Sequence, residues 1–294
     1  MKTLIKSKKT ASVIVLAGQS NAVGVGHVEY LPRHYSSEKI AEYNEGYPNI
    51  LINYYSHNIK SNGFVPTGLH CTELKGGTLG PEVGMAELLN ERYPDREFFI
   101  VKCATGGTSL WRDWLSPSGG PEYDPNAYAE SPEIAVHNVD NGLPMPTGWH
   151  FNELLKITRE SLSWFEANGY EPEIIGFCWM QGEADACDAA TNALYGGRYD
   201  ALVRDFKAAF PTYTESCVFA DAGVSTTWPF YREMNAFKAE YAATHENCVY
   251  VDTIGNGLTT AHEPEPQNDP YHYDVNSTID LGHLFVQAVM EGRA

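Results

Sequence analysis

The chain has 294 residues, of which 43% are hydrophobic and 20% are charged, so its composition is that of a folded protein and not of a disordered one. Its 38 acidic and 20 basic residues give a net charge of −18, which disfavours nucleic acid and anionic membranes as partners, because both select basic surfaces. No apolar run approaches the roughly 20 residues that a membrane-spanning helix needs.

Short apolar runs alternate along the chain with stripes of helical period. The runs are continuous and rich in Val, Ile and Phe, which is typical of parallel strands buried on both faces. In chain order we predict a strand at Ser12–Ala17, a helix at Val83–Leu89, a strand at Glu97–Cys103, a helix at Phe151–Phe165, a strand at Ile174–Met180, a helix at Tyr199–Phe210, strands at Cys217–Ala220 and Cys248–Asp252, and a helix at Leu281–Ala288. This alternation predicts an α/β fold, a three-layer α/β/α sandwich around a flavodoxin-like, five-stranded parallel sheet.

Two segments interrupt the alternation. Glu29–Gly77 is rich in Tyr, Asn and Ser, and Ser116–Gly148 is rich in Pro and Gly. Long irregular segments in compact proteins are usually functional or mobile. We interpret both as loop inserts over one end of the sheet, within a single domain that spans residues 1–294.

The basic N-terminus and the apolar stretch Ala11–Gly18 together imitate a secretion signal. We reject that interpretation because cleavage would remove the best motif of the chain or separate it from the segment that precedes it. We therefore expect a cytoplasmic protein, or a secreted one whose leader was removed before residue 1. The six cysteines show no CxxC pair and no metal-ligand spacing, which predicts free thiols and no metal site.

The first predicted strand runs into Gly18-Gln19-Ser20-Asn21, which places a serine at a tight strand-to-helix turn. A serine there is exposed at the carboxyl edge of the sheet, beside backbone N–H groups that can stabilise an oxyanion. These are the requirements of a nucleophile. The alternative is a helix N-cap, the commoner role of serine. The G-x-S-x-G elbow is absent, because position 22 is Ala.

The second predicted strand is followed by Gly106 and Gly107. Glycines let backbone N–H groups approach a ligand closely, so this turn either completes an oxyanion hole or is only a tight turn. Trp111, Arg112 and Trp114 come directly after it. Flat aromatic rings beside a polar group suit a sugar, although a buried core tryptophan is the equally good alternative.

Gln181 and Glu183 follow the third predicted strand. The amide of Gln181 can donate to an oxyanion. Glu183 can orient a histidine, bind substrate or cap the next helix, and the capping role is at least as well supported as the others.

Asp269-Pro270-Tyr271-His272 stands just before the final predicted helix. An aspartate three residues before a histidine can fold back and accept the Nδ1 hydrogen, which leaves Nε2 free to take the serine proton. The alternative is a surface histidine beside ordinary turn residues. His262 is a weaker candidate base, and His283, off the apolar stripe of its helix, is interpreted as solvated.

These motifs all fall at the predicted carboxyl ends of strands or before the last helix, where α/β sheets bind ligands. Together they resemble the SGNH hydrolases, and most closely the carbohydrate acetylesterase branch that includes sialate O-acetylesterase-like proteins and carbohydrate esterase family six. The matching segments occur in the family's order: GQSN at 18–21, GPE at 80–82, GGTSL at 106–110, WMQGE at 179–183 and DPYH at 269–272. Gln181 stands where many superfamily members carry Asn, a change that this branch shares.

The resemblance implies a serine esterase that removes acetyl groups from O-acetylated carbohydrates, such as xylan or sialate esters, through an acyl-enzyme without a cofactor. It implies Ser20 as nucleophile, His272 as base and Asp269 as the residue that orients the base. It also implies an oxyanion hole made by the N–H of Ser20, the glycine turn and the side chain of Gln181. A lipase-like or thioester-cleaving enzyme and a non-catalytic glycan-binding protein on the same fold are the alternatives.

Overall fold

The computed structural model describes residues 9–56, 59–72, 77–124 and 146–292 of the chain. The strands are β1 Lys9–Gly18, β2 Gly26–His27, β3 Tyr47–Ser56, β4 Ile59–Lys60, β5 Val65–Thr67, β6 Thr78–Leu79, β7 Phe98–Ala104, β8 Tyr170–Met180, β9 Val218–Ala222 and β10 Cys248–Val251. The helices are α1 Ser20–Val23, α2 Ser37–Glu45, α3 Pro81–Arg92, α4 Trp149–Ala167, α5 Ala189–Ala209, α6 Tyr231–Thr244 and α7 Val275–Glu291. Short 3-10 turns occur at Val28–Arg33, Leu69–Thr72 and Asp185–Cys187.

The described strands form one large sheet in the order β10-β9-β8-β1-β7-β3-β4, with β5 paired to β3. The neighbours from β10 to β3 are parallel, whereas β4 and β5 pair antiparallel with β3. The small strands β2 and β6 pair separately. The chain leaves β1 for one half of the sheet and later returns to β8 on its other side, so loops diverge at the carboxyl end of β1. Such a switch point opens a crevice for ligands.

The predicted α/β fold with a mostly parallel sheet is confirmed, and its five predicted strands correspond to β1, β7, β8, β9 and β10, which lie side by side. The five-strand layout is incomplete, because the sheet has eight strands within the described residues. The missing parallel strand is β3, where buried Ile50 and Ile52 alternate with partly exposed residues. A strand near a sheet edge is half-buried, so it lacks the continuous apolar run on which the prediction depended.

Consecutive residues of β8 show how helices cover both faces of the sheet. The backbone of Gly176 packs against Val289 of α7, and the Phe177 ring lies 4.7 Å from that of Phe206 of α5. Because neighbouring residues of a strand face opposite sides, α5 and α7 belong to different outer layers. On the face of α7, that helix crosses α3 so closely that Gly84 and Gly282 leave no room for a side chain.

The insert at 29–77 is not the loop that we predicted, because it contains α2 and the strands β3, β4 and β5. Its Tyr- and Asn-rich composition reflects a region at the edge of the sheet with one solvent-exposed face, where polar residues alternate with buried ones. Of the second insert, 116–148, residues 125–145 lie outside the described residues, as do 57–58 and 73–76 of the first.

The interpretation of His283 as solvated is wrong. Its Nε2 lies 2.9 Å from Glu87 Oε2, and its side chain is 27% exposed between α7 and α3. Burial lowers the pKa of His283, but the carboxylates of Asp280 and Glu87 outweigh burial and raise it to about 9. A polar residue beside the apolar stripe of a helix therefore faces the neighbouring helix here.

None of the six cysteines forms a disulfide bond in the structure, and four of them are buried. Within the described part of the chain, no helix combines the length and the apolar character needed to cross a bilayer.

Candidate active site

The turn after β1 holds Ser20 at the carboxyl edge of the sheet, between the strands on either side. The N–H of Gln19 donates to Met180 O of β8 at 2.9 Å, and the N–H of Thr105 donates to Gly18 O at 3.1 Å. Gly18 has φ +142°, and a Cβ there would lie 2.0 Å from Met180 O. Only glycine allows this close approach. The backbone before Ser20 is thus fastened to both neighbouring strands.

Ser20 is the first residue of the four-residue helix α1, and its side chain caps no backbone N–H. The N-cap alternative is therefore not what the structure shows. The half-buried Ser20 instead lies on the wall of a cavity of about 640 Å³. Its lining residues are Gln19, Ser20, Val23, Val25, Gly106, Gly107, Trp228, Tyr271 and His272.

His272 lines the same cavity, and Asp269 holds its inner nitrogen. Asp269 Oδ2 lies 2.5 Å from His272 Nδ1, while Oδ1 accepts the N–H of Tyr271 at 2.8 Å. Partial burial raises the pKa of Asp269, but the hydrogen bonds from His272 and Tyr271 outweigh burial, and the pKa is lowered overall. An ionised Asp269 fixes the tautomer in which Nδ1 carries hydrogen and Nε2 can accept a proton.

Glu183 occupies a different place from Asp269. Its side chain is buried, with 1% exposed, and Oε1 accepts the amide of Asn21 at 2.8 Å. Burial raises the pKa of Glu183, and its Oε2 has no hydrogen-bond partner among the described residues. It does not cap the following helix, because Asp188 caps α5. The sequence left the orienting carboxylate open between Asp269 and Glu183, and the contact to Nδ1 is made by Asp269.

Asn21 is a candidate positioning residue that sequence reasoning missed. Its amide donates to Glu183 and, at 3.3 Å, to Tyr271 O, and its carbonyl accepts the N–H of Tyr273 at 3.1 Å. The residues on both sides of His272 are thus fastened to the residue that follows Ser20. The available signal was its place inside the GQSN segment, next to the candidate nucleophile.

Replacing Asn21 with alanine is expected to lower kcat by about 10²-fold with little change in KM, because a displacement of about 1 Å of a catalytic group costs that much. Steady-state kinetics on an acetyl ester measure both constants. Asn49→Ala is the matched control, since Asn49 lies near the amino end of β3 and its amide donates to the main-chain oxygens of Pro94 and Arg96. Equal effects of the two substitutions on kcat would contradict the positioning role.

Gly106 and Gly107 line the same cavity as His272. Gly107 has φ +72°, a conformation that favours glycine, and no atom lies within 4 Å of where its Cβ would stand. Asp185 holds the segment that follows this turn by accepting the N–H groups of Leu110 at 2.8 Å and Trp111 at 3.0 Å. The glycine turn is therefore braced from the loop after β8.

Gln181 is fully buried and does not line the cavity. Its Nε2 lies 2.7 Å from Asp185 Oδ2, 3.2 Å from Thr108 O and 3.3 Å from Gln19 Oε1. An amide has two hydrogens, and these acceptors engage both. Gln181 thus joins the loops after β1, β7 and β8, and its place in an oxyanion hole stays a prediction.

A buried ion pair stands behind Gln181. Lys238 Nζ lies 2.5 Å from Asp221 Oδ1 and donates to Gln181 O at 2.7 Å and to Ala222 O at 2.8 Å. Burial raises the pKa of Asp221 to about 6, although Lys238 opposes this. Breaking such a pair leaves an uncompensated buried charge, so the pair holds the ends of β8 and β9 in one arrangement.

A second buried pair supports the helix that begins at Ser20. Lys102 Nζ donates to Glu82 Oε2 at 2.6 Å and to Val23 O at 2.7 Å, and both side chains of the pair are fully buried. Val23 ends α1, so Lys102 satisfies a carbonyl at the end of that helix. A lysine inside the apolar run 97–103 was the sequence signal for this pair.

The predicted sugar-binding residues do not form one surface. Trp114 is fully buried and donates its Nε1 hydrogen to Thr108 Oγ1 at 2.8 Å, so it is a core residue and the sugar-binding role is wrong for it. Trp111, which is 40% exposed, and the half-buried Arg112 are not among the residues that line the cavity. The aromatic residues that do line it are Trp228 and Tyr271.

No group of three His, Cys, Asp or Glu side chains within residues 9–56, 59–72, 77–124 and 146–292 is placed to hold a metal ion.

Known proteins resemble this chain in sequence and in fold. The family model described as "Carbohydrate esterase, sialic acid-specific acetylesterase" matches residues 10–291. Among solved structures, a protein from Arabidopsis thaliana is similar with 19% identity and a TM-score of 0.63, over 95% of this chain and 98% of that one. NanS is similar with 18% identity and a TM-score of 0.60, over 98% of both chains.

XAC1771, described as a carbohydrate acetylesterase from Xanthomonas citri, is similar with 15% identity and a TM-score of 0.57, over 95% of this chain and 56% of that one. No curated protein matches the chain. At these identities the likeness to solved structures establishes the fold, whereas the family model extends over almost the whole chain.

Proposed function

We propose an acyl-enzyme mechanism for this chain. The chain belongs to the sialic acid-specific acetylesterase family of carbohydrate esterases and is therefore a carboxylic ester hydrolase that acts on acetylated sugars. The proposal is that Ser20 removes acetyl groups from O-acetylated sugars through an acyl-enzyme. One observation carries it: Ser20, the His272–Asp269 pair and the glycine turn lie around a single cavity at the switch point of the sheet.

In the proposed first step, His272 Nε2 takes the proton of Ser20 Oγ as that oxygen attacks the ester carbonyl carbon. The negative charge that forms on the carbonyl oxygen is stabilised by N–H groups of Ser20 and the glycine turn. Each such donor is worth about 3 kcal/mol to the transition state. When the intermediate collapses, the C–O bond to the sugar breaks and the sugar oxygen takes the proton from His272.

In the second step, His272 takes a proton from a water molecule, which attacks the acetyl-serine. The bond to Ser20 Oγ then breaks, the serine recovers its proton, and acetate leaves. Asp269 stabilises the positive charge that His272 carries in both steps. The reaction needs no group from outside the chain except water.

Two rivals predict different results. A lipase-like or thioester-cleaving enzyme would favour long acyl chains, and a glycan-binding protein would not turn over at all. We expect release of acetate from acetylated xylo-oligosaccharides and p-nitrophenyl acetate, with kcat/KM at least about tenfold above that for p-nitrophenyl octanoate. A tenfold preference corresponds to about 1.4 kcal/mol of transition-state binding.

A fluorophosphonate probe, which reacts with activated serines, completes the test. We expect it to label the wild-type chain at Ser20. If the chain showed neither labelling nor acetate release, that result would support the glycan-binding rival. A preference for octanoate over acetate would support the lipase-like rival.

A further inference from the structure

The aromatic rings of Trp228 and Tyr271 lie on the cavity wall with His272. Neither residue is among the site residues predicted from the sequence. The ring centroids of Trp228 and Tyr271 are 5.3 Å apart, with an interplanar angle of 39°. Tyr271 is 49% exposed, and Trp228 is partly exposed. Tyr271 precedes the candidate base directly, so whatever packs on these rings lies next to the reacting ester.

The backbone that carries both rings is held from several sides. Thr227 Oγ1 donates to Pro270 O at 2.7 Å, which joins the loop before α6 to the loop of His272. The N–H of Tyr231 donates to Trp228 O at 3.2 Å, and the Asn21 amide donates to Tyr271 O. Surfaces that are ordered before binding lose less conformational entropy when the ligand arrives.

The rest of the cavity lining is apolar or uncharged. Val23, Val25, Gly106 and Gly107 face the same space, and among the described residues its lining includes neither Lys nor Arg. Proteins bind a carboxylate tightly through charge-assisted hydrogen bonds, most often from Arg.

The net charge of the whole chain also disfavours an anionic sugar as the substrate. A net charge of −18 repels anionic sugars from the surface and slows their encounter with the cavity. An uncharged sugar acetate experiences no such repulsion, and a cavity that is mostly apolar with a few polar groups is a common ligand-binding design.

We infer that Trp228 and Tyr271 form the sugar-binding wall of the site and that the sugar is uncharged, in contrast to a sialate. The inference rests on the proposed function. Flat aromatic rings present a large apolar face at low entropic cost, and the C–H face of an uncharged pyranose packs against such a face. The ester group then projects toward Ser20 and His272.

The first test compares two substrates on the wild-type chain by acetate release. Acetylated xylo-oligosaccharide is uncharged, and O-acetylated N-acetylneuraminic acid carries a carboxylate. We expect kcat/KM to be at least about tenfold higher for the uncharged sugar, with the gap narrowing as salt screens the charge of the chain. A higher kcat/KM for the sialate overturns the inference. No acetate release from either substrate would instead contradict the proposed function.

The second test measures KM for the xylo-oligosaccharide in variants. We expect Trp228→Ala and Tyr271→Ala each to raise KM about five- to tenfold while kcat changes less than threefold, because each substitution removes an aromatic face from the bound sugar. Trp228→Phe keeps a flat ring and is expected to stay within about threefold of the wild-type KM. Tyr213→Ala is the control, because Tyr213 precedes β9 at the amino edge of the sheet and bonds to Glu166.

The alternative aromatic residue is tested in the same way. Trp111→Ala is expected to leave KM within about twofold of wild type, since Trp111 does not line the cavity. A larger rise of KM in Trp111→Ala than in Trp228→Ala overturns the assignment, as does a loss in kcat alone for the Trp228 and Tyr271 variants. Circular dichroism of each variant identifies any that fail to fold, and if Trp228→Ala is one of them, the KM of Tyr271→Ala decides the matter.

Discussion

Replacing Ser20 with alanine is expected to lower kcat for acetate release by about 10⁴- to 10⁶-fold, because the variant has no oxygen with which to form the acyl-enzyme. The fold is expected to persist, since the Ser20 hydroxyl caps no helix end. Its neighbours are held instead by backbone bonds of Gln19 and Thr105 to the adjoining strands. Acetate release and circular dichroism measure the two quantities.

Ser37→Ala is the matched control, because Ser37 is also the first residue of a helix, α2, and is exposed. We expect this control to keep the wild-type kcat and to react with the fluorophosphonate probe, whereas Ser20→Ala should not react. If Ser20→Ala retained kcat within about tenfold of wild type, the assignment of the nucleophile would be wrong, and the acyl-enzyme mechanism with it.

The second large effect is expected for Asp269→Asn, which should lower kcat by about 10³- to 10⁴-fold. An asparagine amide can donate to His272 Nδ1, and this favours the tautomer whose hydrogen is on Nε2. That nitrogen can then no longer accept the serine proton. The loss is expected in kcat more than in KM, because Asp269 touches His272 and does not line the cavity.

Glu183→Gln is the informative comparison. Burial already raises the pKa of Glu183, and glutamine still offers an oxygen to the Asn21 amide, so we expect a loss of about tenfold or less. Asp205→Asn is the control for Asp269, because Asp205 accepts from Ser118 on an exposed surface. A crippled Glu183→Gln beside an active Asp269→Asn would make Glu183 the residue that orients His272.

The arrangement around Ser20 depends on buried polar groups that reach across the sheet. Gln181 joins three loops, Lys238 holds the backbone of Gln181, and Lys102 holds the end of α1. Each of these groups is costly to bury unless its partners are in place. We interpret them as the scaffold that keeps the nucleophile and its base in one geometry.

Local sequence patterns were sufficient to predict much of the sheet and part of the candidate site. A continuous apolar run is a property of a few adjacent residues, and it was sufficient to place β1, β7, β8, β9 and β10. The short interval between Asp269 and His272 was also sufficient to predict their contact, because four residues of a turn can fold back only within a small space. Family membership follows in the same way from short segments in a particular order.

Only the tertiary structure decided which side chains meet across the sheet. Asn21 contacts residues about 160 and 250 positions away, and Trp228 reaches the site from a loop to which no sequence pattern drew attention. Trp114 and Trp228 are the same residue type, yet one is buried in the core and the other lines the cavity. Exposure and long-range contacts depend on how strands and helices pack together, so patterns of neighbouring residues do not contain them.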